Sequence, residues 1–236
     1  MCTHPRGREH AATPRCGEIA AAWQAGVVPA APDPAPRTAG RVVGLLLAGG
    51  AGRRMGGPKA LVRDTHGTAW VVATSRRLRV AGCDRVRVVL GAEAARVAQL
   101  LTGEPVDVVV AGDWAEGMAA SLRRGLHDLE RVEPDASAAL VHLVDLPDVG
   151  APVIRRLHGF AAGGGVHVLA RAAYDARPGH PVLLGRAHWA PVAAQASGDR
   201  GARDYLAAHG ARTVECGDLA TGADVDRRCG GRDAHG

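Results

Sequence analysis

Short apolar runs alternate with longer amphipathic segments along the chain from residue 41 onward. The runs are rich in Val, Leu and Ala, and the segments between them are long enough to hold crossover helices. Strands that alternate with helices form a mainly parallel sheet that is covered by helices on both faces. We therefore predict a three-layer α/β/α fold with strands at residues 42–47, 85–90, 106–110, 138–144 and 166–171.

The two ends of the chain differ in composition from this alternating region. Residues 1–40 contain the stretch PAAPDPAP and show no sustained periodicity, which is typical of a flexible segment. We predict a flexible Pro/Ala-rich leader at 1–40, one α/β domain at 41–226 and a disordered tail at 227–236. Within the domain, PGHP at 178–181 predicts a turn, followed by a short run at 182–184, two helices and a last strand near 213–216.

Composition argues against several classes of protein. No apolar stretch reaches the roughly 20 residues that a membrane helix needs, and the five cysteines are scattered without a C-x-x-C pair. We therefore predict a cytoplasmic protein with no membrane partner. The net charge is +5, but only 3% of the residues are aromatic, so the stacking platforms that single-stranded nucleic acid requires are scarce. We expect a small phosphorylated ligand and no nucleic acid.

A glycine-rich segment, LLLAGGAGRRMGGPK, continues the first predicted strand into a loop at residues 45–59. Glycines let backbone N–H groups approach phosphate oxygens closely. Arg53 and Lys59 would neutralise a triphosphate and the charge that develops during its reaction, and both are candidate catalytic residues. The candidate nucleotide-binding residues in this segment are Leu47, Ala48, Gly49, Gly50, Gly52 and Lys59.

Lys59 is the only lysine among the 29 Lys and Arg residues of the chain. A position that keeps a compact ammonium in an arginine-rich chain indicates a site where a guanidinium would not fit. Two other phosphate loops match less well. The Walker pattern requires Ser or Thr after the lysine, where Ala60 stands, and the dinucleotide pattern G-x-G-x-x-G has its third glycine one residue late, at Gly56. A Gly-rich turn with only a structural role is the remaining alternative.

The stretch at residues 47–59 resembles the signature of the MobA-like nucleotidyltransferases, L-A-[GA]-G-x-[SG]-x-R-M-G-x-x-K. The resemblance extends over roughly residues 42–226 and is greatest to the molybdenum-cofactor cytidylyltransferases. It implies a Rossmann-like nucleotidyltransferase fold. It also implies an enzyme that moves a nucleotidyl group from a nucleoside triphosphate to a phosphorylated acceptor and releases pyrophosphate.

Two acidic motifs carry the metal site that this resemblance implies. VDLPD at residues 144–148 resembles the family's D-x-P segment, in which the carboxylate corresponding to Asp145 holds Mg²⁺ and takes part in catalysis. GADVD at 222–226 resembles D-[IV]-D-T-P-x-D and makes Asp226 a second candidate ligand, although Arg227 and Arg228 replace the Thr-Pro. The alternatives are a turn role for Asp145, a solvated tail for Asp226, and a helix-capping role for Asp148 near residue 151.

Three further segments resemble family elements. The stretch at 111–123 resembles the segment that enters the nucleotide-facing helix, which implies that Gly117 and Ser121 lie near the base and ribose. GHPV at 179–182 makes His180 a candidate acceptor-binding residue. GDRGAR at 198–203 resembles G-D-x-G-A-R, in which we interpret Asp199 as a cap of the helix that follows. Ser121 and His180 are equally compatible with purely structural roles.

The resemblance implies CTP as donor and molybdopterin as acceptor, with a molybdenum hydroxylase apoenzyme as a possible partner. The AGG sequence at residues 48–50 is the guanylyltransferase form of the loop, because the cytidylyltransferases have Ala-Ala-Gly, so GTP remains open as the donor. Two alternatives belong to other classes: an NAD(P)H-dependent oxidoreductase on the same fold, and a molybdenum-cofactor-binding chaperone without catalytic activity.

Overall fold

The computed structural model describes residues 40–225. Of the predicted leader only Gly40 falls in this range, and the predicted tail and Asp226 lie outside it. The described part contains seven strands, with bounds β1 Arg41–Ala48, β2 Arg85–Leu90, β3 Asp107–Val110, β4 Ala136–Leu143, β5 Leu169–Tyr174, β6 Arg177–Gly185 and β7 Arg212–Glu215. Its α-helices are α1 Trp70–Val80, α2 Ala94–Leu100, α3 Met118–Val132, α4 Ala151–His158, α5 Ala161–Gly164, α6 Trp189–Gln195 and α7 Arg203–Ala208.

All seven strands form one sheet in the order β3-β2-β1-β4-β6-β5-β7. The neighbours β3, β2, β1 and β4 are parallel, whereas β6 pairs antiparallel with both β4 and β5. Strand β7 pairs parallel with β5, so β6 is the one reversed strand of this sheet. The predicted mainly parallel sheet is confirmed. Because β1 and β4 are parallel neighbours, the loops that follow them leave the sheet at the same edge.

Each face of the sheet is covered by a separate hydrophobic core. One core packs α1, α2 and α4 against residues such as Val42, Leu46 and Leu140, and the other packs α3, α6 and α7 against residues such as Leu45 and Val89. Alternate residues of β1 belong to opposite cores because successive strand side chains point to opposite faces. These two cores produce the predicted three layers. None of the helices within residues 40–225 is long and apolar enough to cross a membrane.

One predicted strand and one predicted turn differ from the structure. The predicted strand at 166–171 begins only at Leu169, because Gly165–His167 forms a 3₁₀ turn. The predicted turn at 178–181 is part of strand β6. Strand β4 pairs only with Val182–Gly185 of β6. Pro178 and Pro181 therefore lie in the part of β6 that has β5 as its one neighbouring strand. A missing proline N–H is tolerated at such a position.

Candidate active site

The loop after β1 is folded back on itself around Gly52. The Gly52 carbonyl accepts hydrogen bonds from the Met55 N–H at 2.8 Å and the Gly57 N–H at 3.3 Å. Gly52 has φ +55°, and a Cβ atom there would lie 2.1 Å from the Gly57 carbonyl oxygen. Only glycine fits this turn without displacing backbone. The buried Met55 side chain anchors the 3₁₀ turn that carries Arg53 on its exposed side.

Lys59 and Asp145 form an ion pair, with Lys59 Nζ 2.8 Å from Asp145 Oδ2. Lys59 begins the 3₁₀ turn after the glycine-rich loop, and Asp145 stands two residues beyond β4. Their side chains are only 15% and 18% exposed. The other carboxylate oxygen, Asp145 Oδ1, is buried and has no hydrogen-bond partner within residues 40–225. The fold therefore places in direct contact the two charged groups on which the candidate site depends, which are 86 residues apart in the sequence.

These groups lie at one cavity of about 560 Å³, which is walled by the loop after β1, the first turns of α3 and the end of β4. Of the residues predicted from sequence, those that line this cavity are Leu47, Gly49, Gly50, Gly52, Arg53, Lys59, Gly117, Ser121 and Asp145. Ala48 does not line it. Its side chain is 2% exposed and packs in the core with Val42 and Leu46, on the opposite face of β1 from Leu47. Any contact of Ala48 with a ligand would use its backbone.

The start of α3 is held by the loop before α7. The Ala119 N–H donates to the Gly198 carbonyl at 2.9 Å, and the Met118 N–H donates to Asp199 Oδ1 at 3.4 Å. The prediction that Asp199 caps the helix following it was wrong, because its carboxylate is directed to α3 and α7 begins at Arg203 with no side-chain cap. The same contacts bring Asp199 into the cavity lining.

The last described residues, 221–225, are tied to the loop that follows β4. Asp148 Oδ2 accepts hydrogen bonds from the Thr221 N–H at 2.7 Å, the Thr221 hydroxyl at 2.5 Å and the Gly222 N–H at 3.2 Å. The interpretation of Asp148 as a helix cap was wrong, since Gly150 precedes α4 without a side-chain cap. The Val225 N–H donates to the Asp145 carbonyl at 3.1 Å. Asp226, the next residue, lies outside the described residues, so its predicted metal ligation stays a prediction.

His180 lies in a second cavity, of about 110 Å³, which shares Leu47 and Met118 with the first. Desolvation lowers the pKa of His180 to about 4; the charge of Asp145 opposes this shift, and the charges of Arg171 and Arg203 add to it. The imidazole is therefore neutral near pH 7. The GDRGAR motif contains Arg203 but was interpreted only through Asp199, and no local sequence pattern marked Arg171, because β5 and α7 meet only in the folded chain.

A metal ion at this site would have few protein ligands. Residues 40–225 contain no group of three His, Cys, Asp or Glu side chains that could hold a metal. Asp145 nevertheless lines the cavity, and its Oδ1 is a hard, buried oxygen that has no hydrogen-bond partner within residues 40–225. Magnesium is commonly held by one or two carboxylates, with substrate phosphates and water completing the shell. The donor set fits that kind of ion.

A sequence model of a known family, described as the MobA-like NTP transferase domain, matches residues 44–214. The chain is also 35% identical over 192 residues to the nicotine blue oxidoreductase of Paenarthrobacter nicotinovorans, a similarity that covers 78% of this chain and 92% of that protein.

Two solved structures are also similar to this chain. The crystal structure of Rv0371c from Mycobacterium tuberculosis H37Rv superposes with a TM-score of 0.66 and 28% sequence identity, covering 80% of this chain and 95% of that one. The structure of the same protein in complex with manganese has a TM-score of 0.63 and 26% identity, covering 78% of this chain and 94% of that chain.

Proposed function

The chain belongs to the MobA-like NTP transferase domain family, and on that premise we propose that it transfers the nucleotidyl group of a nucleoside triphosphate to a phosphorylated acceptor. One observation carries this proposal. Lys59 Nζ and Asp145 Oδ2 are 2.8 Å apart beside a cavity of about 560 Å³ that is edged by the glycine-rich loop. An ammonium group, backbone donors and a carboxylate with one free oxygen are together suited to a polyphosphate and its counter-ion.

The reaction balances without a protein nucleophile. An oxygen of the acceptor's phosphate forms a bond to the α-phosphorus of the triphosphate. The bond from that phosphorus to the oxygen bridging to the β-phosphorus breaks, and its electron pair leaves with pyrophosphate. In this scheme Arg53 and Lys59 stabilise the negative charge on the transferring and leaving phosphates. The acceptor phosphate is already an anion near neutral pH, so no general base is required.

Magnesium is the cofactor we propose, with Asp145 as its ligand through the unpaired Oδ1 and Asp226 as the second ligand. When bound, the ion supplies charge neutralisation at the phosphates. The hydrogen bond from the Val225 N–H to the Asp145 carbonyl supports the second assignment, because Asp226 follows Val225 directly. The manganese complex of the M. tuberculosis protein, which is similar over 78% of this chain, also supports a divalent ion.

We propose CTP as the donor and molybdopterin as the acceptor, with GTP as the alternative donor and a molybdenum hydroxylase apoenzyme as the eventual recipient of the product. The GHPV and GDRGAR segments resemble the cytidylyltransferases and favour CTP, whereas the loop at Gly49, where the cytidylyltransferases have alanine, favours GTP. A Cβ atom at Gly49 would lie 2.6 Å from the hydroxyl of Ser121. Glycine at position 49 therefore leaves room for the Ser121 hydroxyl. Ser121 lines the cavity where the base and ribose would lie.

Pyrophosphate release tests the proposal. The full chain is incubated with Mg²⁺, molybdopterin and each of CTP, GTP, ATP and UTP in turn, and we expect release with CTP above the others. Asp145→Asn should lower the rate by about 10²-fold or more, the effect of removing one preorganised charge. Asp135→Asn is the matched control, because Asp135 is exposed and precedes β4 at the opposite edge of the sheet. No release with any triphosphate would refute the proposal, and nucleotide binding without release would favour the chaperone.

A second candidate function is favoured by the relative from P. nicotinovorans, which is named an oxidoreductase. An NAD(P)H-dependent reaction would place the cofactor's pyrophosphate on the same glycine-rich loop. The first acidic residue after β2 is Glu93, which is ion-paired with Arg96 at 3.0 Å instead of being free to bind a ribose. Oxidation of NADH or NADPH by the purified chain in the presence of a chelator, with a quinonoid dye as electron acceptor, would select this candidate over nucleotidyl transfer.

A further inference from the structure

The second cavity is strongly cationic. Its polar lining consists of His180 and three arginines, and no Asp or Glu of residues 40–225 lines it. One of the arginines is already neutralised, because Arg200 is ion-paired with Asp204 at 2.5 Å. The side chains of the other two, Arg171 and Arg203, make no hydrogen bond or ion pair in the described part of the chain. The remaining wall is apolar and includes residues of β4, β6 and α7.

Arg171 is held in this position at a cost. It lies on β5 opposite Val182 of β6, and its Nε atom is buried without a hydrogen-bond partner. Desolvation, and then the like charge of Arg203, lower the pKa of Arg171. Arg171 is partly buried and Arg203 is exposed, and an anion that joins the two cations would stabilise the partly desolvated Arg171 guanidinium. The arrangement is that of a binding site in which an anionic ligand supplies the counter-ion.

We propose that Arg171 and Arg203 form a binding subsite for the phosphate monoester of the acceptor, with the apolar wall receiving the organic body to which that phosphate is attached. Two guanidinium groups match a dianionic phosphate in charge and offer paired N–H donors to its oxygens. A carboxylate, with one charge, would leave one guanidinium uncompensated. Neutral His180 is the third polar group of the subsite and accepts or donates one hydrogen bond.

The position of the subsite agrees with its proposed use. The two cavities share Leu47 and Met118, so the subsite adjoins the cavity that Lys59 and Asp145 line. An acceptor anchored by Arg171 and Arg203 would therefore be directed at the nucleotide in the first cavity. This assignment of residues to the acceptor rests on the proposed nucleotidyl transfer, although the binding of a phosphate monoester does not.

Calorimetric titration of the full chain with phenyl phosphate tests the subsite. We expect Arg171→Gln and Arg203→Gln each to raise the dissociation constant by about 10-fold or more, the usual effect of losing a charge-assisted contact. Arg177→Gln is the matched control, since Arg177 is an exposed arginine on β6 that does not line the cavity.

The outcomes separate the subsite from the transferase. Wild-type protein that does not bind phenyl phosphate, or arginine variants that bind it as wild type does, would overturn the subsite. Benzoate binding as tight as that of phenyl phosphate, with the same arginine dependence, would overturn the assignment to a phosphate. Arginine-dependent binding of phenyl phosphate by a protein that releases no pyrophosphate with any triphosphate would refute the transferase and leave the subsite standing.

Discussion

Lys59 is the residue on which the candidate site most depends. Its ammonium nitrogen lies 2.8 Å from Asp145 Oδ2, and both side chains are more than four-fifths buried. A guanidinium is wider than an ammonium and spreads its charge over a planar fork, so it needs more room beside a carboxylate. This geometry explains how a chain that otherwise uses arginine would keep a lysine at this one position.

Replacing Lys59 with arginine should therefore be almost as damaging as deleting the charge. We expect Lys59→Arg to lower the rate of pyrophosphate release by about 10²-fold, with a melting temperature close to that of wild type. Arg63→Lys, at a surface residue that donates to the Gly67 carbonyl, is the conservative control and should keep its rate. A Lys59→Arg variant with near-normal turnover would show that any cation suffices there.

Single residues were predictable from sequence when their neighbours in the chain formed the motif. Lys59 and the glycines belong to one loop, and Asp145 follows a strand directly, so local pattern was enough to place them on one edge of the sheet. Arg171 was missed because the other residues of its cavity are distant in sequence, and Asp148 and Asp199 were misinterpreted because their hydrogen-bond partners are distant as well. Asp148 binds Thr221, which is 73 residues away, and Asp199 binds Met118, which is 81 away.

At the scale of elements, the strands with a continuous apolar pattern were predicted well and the reversed strand was not. Strands β1, β2 and β4 are largely buried and consist mainly of Val, Leu and Ala, and the short edge strand β3 has three consecutive valines. Strand β6 begins Arg-Pro-Gly-His-Pro, which has the composition of a turn, and only its second half pairs on both sides. Tertiary pairing with β5, together with a hydrogen bond from the Tyr174 hydroxyl to the His180 carbonyl at 2.6 Å, makes that segment extended.

The carboxylate of Asp148 holds the segment at residues 221–225 in position. Asp148→Ala removes the acceptor of three hydrogen bonds, which should free this segment from the Asp145 loop. We expect a loss of about 1 kcal/mol in the free energy of unfolding, because these bonds are exposed. We expect a larger effect on turnover, a fall of between about 10- and 100-fold, because misplacement of a group at the site is costly.

Urea unfolding and pyrophosphate release measured on the same preparation separate the two effects. Asp218→Ala is the control, since its ion pair with Arg156 at 2.6 Å fixes the preceding part of the same segment away from the cavity. It should reduce stability to a similar small degree and leave turnover intact. Equal losses of turnover in both variants would mean that docking of the whole segment, and not its position beside Asp145, matters.

For the molecule as a whole, the interior of the sheet contains an imidazole that is fully buried and has no hydrogen-bond partner in the described part of the chain. His142, on β4, is 0% exposed, and neither ring nitrogen has a hydrogen-bond partner within residues 40–225. Burial lowers the pKa of His142 to about 3, and the charges of His180 and Arg77 add to the shift. The folded protein therefore holds this imidazole neutral, whereas the unfolded chain protonates it near its ordinary pKa of about 6.5.

The stability of the fold should consequently decrease in mild acid. Between pH 6.5 and 3 the unfolded chain binds a proton at residue 142 that the folded chain does not. The contribution of the neutral imidazole to the free energy of unfolding is therefore fully present above pH 6.5 and is lost as the pH decreases. The slope from this residue is up to about 1.4 kcal/mol per pH unit, and His180 adds to it in the same direction.

His142→Leu tests this dependence, because leucine fills a similar buried volume and does not titrate. We expect urea unfolding to show that the stability advantage of His142→Leu over wild type grows by about 2 kcal/mol between pH 7 and pH 5, the loss that wild type suffers as its unfolded state takes up a proton. His127→Gln, at an exposed position of α3, should keep the wild-type dependence. If the free energies of unfolding of wild type and His142→Leu depended on pH in the same way, the folded state would accommodate the protonated imidazole, through an opening of the core beside β4.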